Sequence, residues 1–339
     1  MMFDLLDFVA LLVAFLSAYG LTGVIRRYAL ARDIIDVPGS RSSHIQTTPR
    51  AGGASIVAVA LAACGAGFWA DRVTFPGVLL VPLVLIAVVG LVDDIKNVSA
   101  FKRLCVQLLA AAFIVYFFPL PELALPGIIL PPLLVSCLAL IAVVWSVNLF
   151  NFMDGINGIA SLQAVFVFLG FAILVATAAP EANISPGYWL LLAAACVGFL
   201  LWNFPVAKIF MGDCCSGFLG LMVALGLIDL LCISQRLFVA GLILHGVFII
   251  DATATLLVRL FTGEQVQSAH RDHAYQKASR YFDSHTKVTL GVAALNFFWL
   301  APWALLVALS VVPGWLGLPL AYLAPLGLAL CFKAGIKTA

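Results

Sequence analysis

The feature that most constrains this chain is a succession of apolar segments, each long enough to cross a membrane, along nearly all of its 339 residues. Hydrophobic residues make up 64% of the sequence and charged residues 10%, and the mean hydropathy is +1.13. Crossing the hydrocarbon core of a bilayer takes about 20 apolar residues, and soluble domains are far less apolar. We therefore predict an all-α polytopic membrane protein, with a single integral-membrane domain over residues 1–339 and no nucleic-acid partner.

About eleven membrane spans are predicted from the apolar segments and the turn residues between them. With the N-terminus outside, 16 of the 18 Lys and Arg residues fall in cytoplasmic loops. Because such loops are enriched in Lys and Arg, the expected topology is N-terminus out and C-terminus in. We expect His245, deep in the ninth span, to bond to another helix. The predicted spans are 5–25, 52–70, 76–93, 103–118, 128–148, 156–178, 187–203, 214–231, 237–258, 288–310 and 315–332.

Acidic residues are costly at membrane depth, so their positions carry functional information. The topology is predicted from Lys and Arg alone, so the side on which the acids fall is an independent result. Five acids fall on the cytoplasmic side: Asp93, Asp94, Asp154, Asp213 and Asp251. Each acid taken singly is explained as a solvated helix cap. A bound cation that faces an anionic substrate explains all five, and oxygen ligands without a Cys or His cage favour Mg²⁺ or Mn²⁺ over zinc.

Two further polar segments fall on the same side. The loop RSSHIQTTPRAGG, residues 41–53, carries Arg41 and Arg50 and predicts a phosphate-binding loop, with capping of the next helix as the alternative. Asn148, Asn151 and Asp154 recur every three residues, so they share one face if the fifth helix continues that far.

A basic stripe is predicted near the C-terminal end of the chain. His270, His273, Lys277 and Arg280 are separated by three, four and three positions, which places them on one face if the segment is helical. Such a stripe anchors a chain to anionic lipid or binds phosphate. Because the acidic cluster lies on the same side, we expect phosphate binding.

Five motifs follow one another along the chain: RSSHIQTTPRAGG (41–53), LVDD (91–94), NLFNFMDGING (148–158), WNFPVAKIFMGDCCS (202–216) and HRDHAYQ (270–276). In this order the sequence resembles the polyprenyl-phosphate N-acetylhexosamine-1-phosphate transferases of the MraY/WecA-like superfamily. The last motif is similar to that of the WbpL-like branch, which starts O-antigen-type polysaccharides. The resemblance implies a bundle of ten or eleven transmembrane helices with a cytoplasmic Mg²⁺ site, in a bacterial inner membrane.

The resemblance also implies roles for individual side chains. Asp93 and Asp94 match the paired aspartates of the family, of which the first is the usual candidate for activating the lipid phosphate, and the sequence leaves open which is catalytic. Asp213 matches the magnesium ligand, with Asp154 as a second candidate ligand. Asp251 matches an acidic position near a helix break and is a candidate support for the metal site. Positions that match the nucleotide pocket or the loop over the phosphates are Asn151, Asp154, Asn203, His270, Arg271 and His273.

The chain departs from the family pattern at two positions within these motifs. Asn157, a candidate substrate-binding residue in DGING, stands where the family has a carboxylate. The site therefore has one negative charge fewer than the family pattern implies. Cys215 stands where the family has glycine, in GDCCS, which puts in doubt a close approach of the backbone to phosphate.

The implied activity is transfer of an N-acetylhexosamine 1-phosphate to undecaprenyl phosphate, with release of UMP at the cytoplasmic face. The donor would be a UDP-N-acetylhexosamine: UDP-GlcNAc, UDP-FucNAc or UDP-QuiNAc. One alternative is a phospho-MurNAc-pentapeptide-type transferase. Another, from a different class, is an ion-coupled secondary transporter, whose sites lie near the bilayer midplane. The sequence leaves open a homodimer and a two-step route through an aspartyl intermediate.

Overall fold

A computed structural model describes residues 5–38, 47–69, 77–118, 120–125, 128–181, 186–264 and 270–337. Within these ranges the chain is almost entirely helical, as the apolar segments predict. The α-helices, in chain order, are α1 Leu5–Ala31, α2 Ala54–Trp69, α3 Leu80–Lys96, α4 Ala100–Phe117, α5 Pro132–Phe152, α6 Ile159–Ala178, α7 Gly187–Asn203, α8 Asp213–Ile233, α9 Gln235–Leu244, α10 Gly246–Phe261, α11 Ala274–Tyr281, α12 His285–Leu295, α13 Ala301–Ala308 and α14 Gly314–Cys331.

Short non-α elements occupy some connections. A 3₁₀ turn, Gly77–Leu79, leads into α3, and a π-helical segment, Asn296–Leu300, joins α12 to α13. Two small antiparallel pairs complete the described part of the chain. They are β1 Ile35–Asp36 with β2 Thr48–Pro49, and β3 Leu123–Leu125 with β4 Ile128–Leu130.

Eight helical segments in the described residues are long and apolar enough to cross a membrane: α1, α3 with its 3₁₀ turn, α4, α5, α6, α8, α12–α13 and α14. The pair α9 and α10 reaches this length together but is bent by 72°, and α2 and α7 are shorter apolar helices. The prediction of an all-α polytopic membrane protein is confirmed. The count of eleven crossings and their orientation stay predictions.

The break between α9 and α10 interrupts the ninth predicted span, 237–258, at His245. The prediction that His245 bonds to another helix is wrong, since both ring nitrogens are buried with no hydrogen-bond partner in the described residues. The ring stacks instead on Phe150, with 5.8 Å between ring centroids. The next residue, Gly246, lies so close to Tyr322 that an added Cβ would be 2.8 Å from that ring.

Helix α8 is the most buried of the long apolar helices and packs against both α3 and α5. Two glycines allow the close approach, as small residues do between membrane helices. A Cβ at Gly90 of α3 would lie 2.4 Å from the Asp213 carbonyl oxygen, and one at Gly220 of α8 would lie 2.4 Å from that of Ser146. These contacts bring the polar ends of α3, α5 and α8 together.

Candidate active site

Asp94, at the end of α3, caps the start of α8. Its carboxylate accepts hydrogen bonds from the backbone N–H groups of Asp213 at 3.0 Å and Cys214 at 3.1 Å. The side chain is 2% exposed. Because the first N–H groups of a helix lack intrahelical partners and favour negative charge, this carboxylate is held in place by α8.

Asp93 points instead toward the carboxylate of Asp213. Its Oδ1 accepts the backbone N–H of Val98, and its Oδ2 accepts a hydrogen bond from Arg103 Nη1. The same nitrogen donates to Asp213 Oδ2 at 2.9 Å. A single guanidinium nitrogen therefore bridges two carboxylates. The two adjacent aspartates have different surroundings, and Asp93 is the one beside the predicted metal ligand.

Polar side chains of α4 and α5 extend this cluster into a cleft. Asn151 Nδ2 donates to Asp213 Oδ1 at 2.8 Å and to Ser216 Oγ at 2.9 Å. Asn148 Nδ2 donates to Gln107 Oε1 at 2.7 Å. The cleft is lined by Ile86, Val89, Gly90, Arg103, Gln107, Val147, Asn148, Asn151, Asp213 and Gly217.

Asp154 lies outside this helical face. Helix α5 ends at Phe152, so the predicted shared face holds for Asn148 and Asn151 but not for Asp154. Burial, and then the negative charges of Asp213 and Asp94, raise the pKa of Asp154 well above its usual range. Asp154 therefore faces the same group of carboxylates from the turn that follows α5.

The carboxylates suit a cation that takes part of its coordination from a ligand. In the described residues, no three Asp, Glu, His or Cys side chains converge as a metal cage. Mg²⁺ is usually held by one or two carboxylates together with water and substrate phosphates. The pairing of Asp93 with Asp213 around one cationic nitrogen shows that this position accommodates positive charge. The donor set fits Mg²⁺.

Arg50 is placed at the C-terminal end of α3. Its Nε donates to the Asp94 carbonyl oxygen at 2.7 Å, and its Nη2 donates to that of Asp93 at 3.0 Å. Cationic groups are favoured at this end of a helix. Arg50 thus holds the end of α3, and its contact with phosphate stays a prediction. Arg41 lies outside the described residues.

Asn203 and Asn157 connect the DGING turn to the segment between α7 and α8. Asn203 Oδ1 accepts the backbone N–H of Gly158 at 2.8 Å, and its Nδ2 donates to the Ile209 carbonyl at 2.9 Å. Asn157 Nδ2 donates to the Pro205 carbonyl at 3.1 Å. Both side chains therefore stabilise the turn, and their contact with substrate stays a prediction.

The histidine-containing motif differs from the predicted stripe. Helix α11 begins only at Ala274, so His270 and His273 lie in the preceding loop, and the expectation of one helical face for all four basic residues is wrong. Lys277 Nζ donates to the backbone carbonyls of Lys333 and Ile336. Arg280 Nη2 donates to the carbonyl of Arg271. The two helical basic residues thus hold neighbouring backbone segments in place.

This loop is attached to the other motifs through Tyr275. The Tyr275 hydroxyl donates to the Phe152 carbonyl at 2.9 Å, and it lies so close to Gly155 that an added Cβ there would be 2.2 Å from it.

The pKa of His270 is lowered to about 4, mainly by burial and then by repulsion from His273 and Arg259, while Asp272 acts in the opposite direction. His270 is therefore neutral at neutral pH.

Sequence reasoning missed Arg103 and Tyr275 as site residues. Arg103 was counted only as a cytoplasmic positive charge, although its place one turn into α4, the helix that follows the paired aspartates, could have indicated the contact. Tyr275 is the second residue of α11 and lies within the HRDHAYQ motif, but the motif does not indicate what its hydroxyl contacts.

Comparison with known proteins gives a consistent answer. Residues 76–231 match the family model described as glycosyl transferase family 4. A Bacillus subtilis protein named probable undecaprenyl-phosphate N-acetylglucosaminyl 1-phosphate transferase is 28% identical over 303 residues, covering 85% of this chain and 82% of the relative. A Mycobacterium tuberculosis decaprenyl-phosphate N-acetylglucosaminephosphotransferase is 30% identical over 236 residues, covering 63% and 57%.

A third relative connects the chain to the muramoyl-pentapeptide enzymes. A Gloeothece citriformis phospho-N-acetylmuramoyl-pentapeptide-transferase is 32% identical over 275 residues, covering 75% of this chain and 68% of the relative. The segment matched by the family model carries Asp93, Asn151 and Asp213, which converge in the structure. Because sequence and site geometry agree, the chain belongs to glycosyl transferase family 4.

Proposed function

We propose that this protein transfers N-acetylglucosamine 1-phosphate from UDP-GlcNAc to a polyprenyl phosphate and releases UMP. The acceptor is undecaprenyl phosphate, and the reaction takes place at the cytoplasmic face of a bacterial inner membrane. The names of the Bacillus subtilis and Mycobacterium tuberculosis relatives support this sugar and this class of lipid. UDP-FucNAc and UDP-QuiNAc remain the other candidate donors.

One structural observation carries the proposal: a charged cleft and an apolar cavity follow the same seam between α5 and α8. The cleft contains Arg103 and Asp213 and reaches Val147 and Gly217. The cavity, of about 150 Å³, begins one residue away at Ser146 and is lined almost entirely by apolar side chains of α5, α8 and α9, together with Leu120 and Leu123. This arrangement suits a ligand with an anionic head and a long hydrocarbon tail.

The chemistry follows from charge and position. Phosphoryl transfer needs neutralisation of negative charge and in-line placement more than covalent assistance. Asp93 orients and deprotonates the lipid phosphate, whose oxygen bonds to the sugar-bearing phosphorus. The pyrophosphate P–O bond then breaks, and UMP leaves with the electron pair.

Asp213 and Asp154 would hold Mg²⁺, which supplies charge neutralisation at the pyrophosphate. Asn151 orients Asp213 through its amide nitrogen. Arg271 would add positive charge near the leaving UMP, and the loop that carries His273 would close over the phosphates. His270, neutral in the folded protein, would contribute hydrogen bonding without charge.

Two other activities are outcomes of the test. The Gloeothece citriformis relative favours a muramoyl-pentapeptide donor as the second candidate. An ion-coupled transporter would place its carboxylates near the bilayer midplane, whereas Asp93, Asp94 and Asp213 lie at ends of α3 and α8.

The test uses purified protein with undecaprenyl phosphate, Mg²⁺ and each UDP-sugar separately. Release of UMP together with a lipid-linked sugar phosphate from UDP-GlcNAc is expected, and EDTA should stop it. Asp213→Ala should abolish turnover, whereas Asp229→Asn, a substitution elsewhere in α8, should not change it. Solute flux without a lipid-linked product would overturn the proposal, and product from UDP-MurNAc-pentapeptide alone would replace it with the second candidate.

A further inference from the structure

The carboxylate of Asp251, on the bent helix α10, is buried against the histidine-containing loop. It accepts hydrogen bonds from the backbone N–H groups of Ala274 and Tyr275, both at 2.9 Å, and so caps the first turn of α11. Thr255 Oγ1 donates to it at 3.2 Å. These three donors fix the orientation of the carboxylate.

The same carboxylate contacts one ring nitrogen of His273. Asp251 Oδ1 lies 3.3 Å from His273 Nδ1, and the two side chains are 7% and 5% exposed. Because the Asp251 carboxylate accepts the three other hydrogen bonds, its contact with the ring suits an Nδ1–H donor. In the neutral ring this leaves Nε2 as the nitrogen with a free lone pair.

His273 lies beside the end of α5. Its ring centroid is 6.2 Å from that of Phe152, the last residue of α5, one position after Asn151. The Tyr275 hydroxyl donates to the Phe152 carbonyl, which holds the loop against the end of α5. The ring is therefore held in a fixed position relative to the end of α5.

We propose that Asp251 is a positioning residue for the transfer reaction: by accepting the Nδ1 proton of His273, it selects one tautomer, holds the ring beside the end of α5 and leaves Nε2 to accept a hydrogen bond from a protonated phosphate oxygen. This inference rests on the proposed function for its catalytic consequence. The tautomer itself is a property of the folded protein and can be measured without turnover.

The first measurement is the ¹⁵N NMR spectrum of histidine-labelled protein, with His273 assigned from the spectrum of His273→Gln. We expect Nδ1 to be protonated in the unsubstituted protein. In Asp251→Asn the amide can donate to Nδ1, so the population should shift toward the Nε2–H tautomer. Asp229→Asn, the same substitution away from the loop, should leave the spectrum unchanged. An Nε2–H tautomer in the unsubstituted protein would overturn the proposal.

The second measurement is a double-mutant cycle on turnover with Asp251→Ala and His273→Ala. Loss of an outer hydrogen-bond partner of a functional histidine typically costs about 10- to 100-fold in activity. We expect kcat to fall by about this factor in Asp251→Ala, with KM for UDP-GlcNAc little changed and partial rescue by Asp251→Glu. The double variant should be no slower than His273→Ala alone, because Asp251 acts through that ring.

The two measurements separate failure of this inference from failure of the proposed function. Losses that multiply in the double variant, with an unchanged tautomer in Asp251→Asn, would assign Asp251 a purely structural role. If no transfer occurs with any donor, the proposed function fails, and the NMR result alone decides whether Asp251 sets the tautomer of His273.

Discussion

At the scale of single residues, Arg103 is the most informative side chain of the site. Its Nη1 lies between Asp93 and Asp213 and so contacts one of the two acids proposed to hold Mg²⁺. Arg103 and Mg²⁺ would therefore compete for Asp213. With Mg²⁺ held by Asp213, Arg103 would be available to contact the anionic ligand.

Arg103→Gln should separate these two roles. Removal of the guanidinium leaves two neighbouring carboxylates to repel each other, which should lower the stability in EDTA by about 1 kcal/mol. Addition of Mg²⁺ should raise the melting temperature more in the variant than in the unsubstituted protein, because the cation no longer competes with arginine. An equal Mg²⁺ response in both proteins would show that the cation binds elsewhere.

Asn157 explains how the chain accommodates its departure from the family pattern. The amide donates to the Pro205 carbonyl, a contact that a carboxylate cannot make because it only accepts hydrogen bonds. Asn157→Asp should lower the free energy of unfolding by about 1–2 kcal/mol, as expected when a carbonyl loses its donor and meets a negative charge. Thermal melting in detergent measures this, and a more stable variant would contradict the assigned contact.

His270 should make stability depend on pH. Burial lowers its pKa from 6.5 to about 4, so below 6.5 the unfolded chain binds a proton that the folded chain does not. The contribution of His270 to stability is complete above pH 6.5 and is lost as the pH falls toward 4. Between these pH values, the melting temperature of His270→Asn should therefore fall less than that of the unsubstituted protein. Parallel curves of melting temperature against pH would contradict the shift in pKa.

Sequence reasoning at this scale named acids that lie together in the structure but not the partners of those acids. The cost of acids at membrane depth predicted Asp93, Asp94 and Asp213, and the structure brings these three together. It could not predict that Arg50 caps α3 or that Lys277 holds the C-terminal segment. Such partners come from distant parts of the chain, and periodicity within one segment carries no information about them.

At the scale of elements, α10, α11 and the C-terminal residues form one connected unit. Arg259 of α10 pairs with Asp272, and the Asp272 carbonyl accepts the backbone N–H of Gly335 at 2.8 Å. Lys277 of α11 donates to carbonyls at Lys333 and Ile336. The loop that carries His270 and His273 is thus held from α10 on one side and from the C-terminal segment on the other.

Gly335→Ala should loosen this unit. Gly335 has a φ of +78°, and an added Cβ would lie 2.7 Å from the Thr255 carbonyl oxygen. Gly263 has a similar φ of +74°, but no atom of the described residues lies within 4 Å of such a Cβ, so Gly263→Ala is a matched control for backbone strain. We expect Gly335→Ala to cost about 1–3 kcal/mol more than the control because of the added contact.

Hydrogen exchange can locate this effect. Amides of residues 270–281 should exchange faster in Gly335→Ala than in Gly263→Ala, since the C-terminal segment holds the loop and α11. Equal exchange in the two variants would mean that this segment does not stabilise the loop.

Helix positions were more predictable from the sequence than their interruptions. Apolar length predicted where α1, α5, α6 and α8 lie, because burial in a bilayer requires it. The bend at His245 and the π segment at Asn296–Leu300 leave hydropathy unchanged, so an average over 19 or so residues could not show them. Both depend on packing against other helices, as the contact of Gly246 with Tyr322 illustrates.

At the scale of the whole molecule, the polar motifs gather at one end of the helix bundle. The ends of α3 and α5, the start of α8 and the loop before α11 contact one another through Asp94, Asn151 and Tyr275. The opposite end carries Arg236, which donates to Ser310 and to the carbonyl of Ala178. This asymmetry agrees with the distribution of Lys and Arg from which the orientation was predicted.

Cysteine labelling should establish that orientation. In a variant with the eight native cysteines replaced, single cysteines are introduced at Lys208 and Lys337, near the polar motifs, and at Glu181, between α6 and α7. All three positions are exposed in the structure. If the motif-bearing end faces the cytoplasm, a membrane-impermeant maleimide should label Glu181→Cys in intact cells, and the other two only after permeabilisation. Labelling of Lys208→Cys in intact cells would reverse the orientation and place the site where cytoplasmic UDP-sugars cannot reach it.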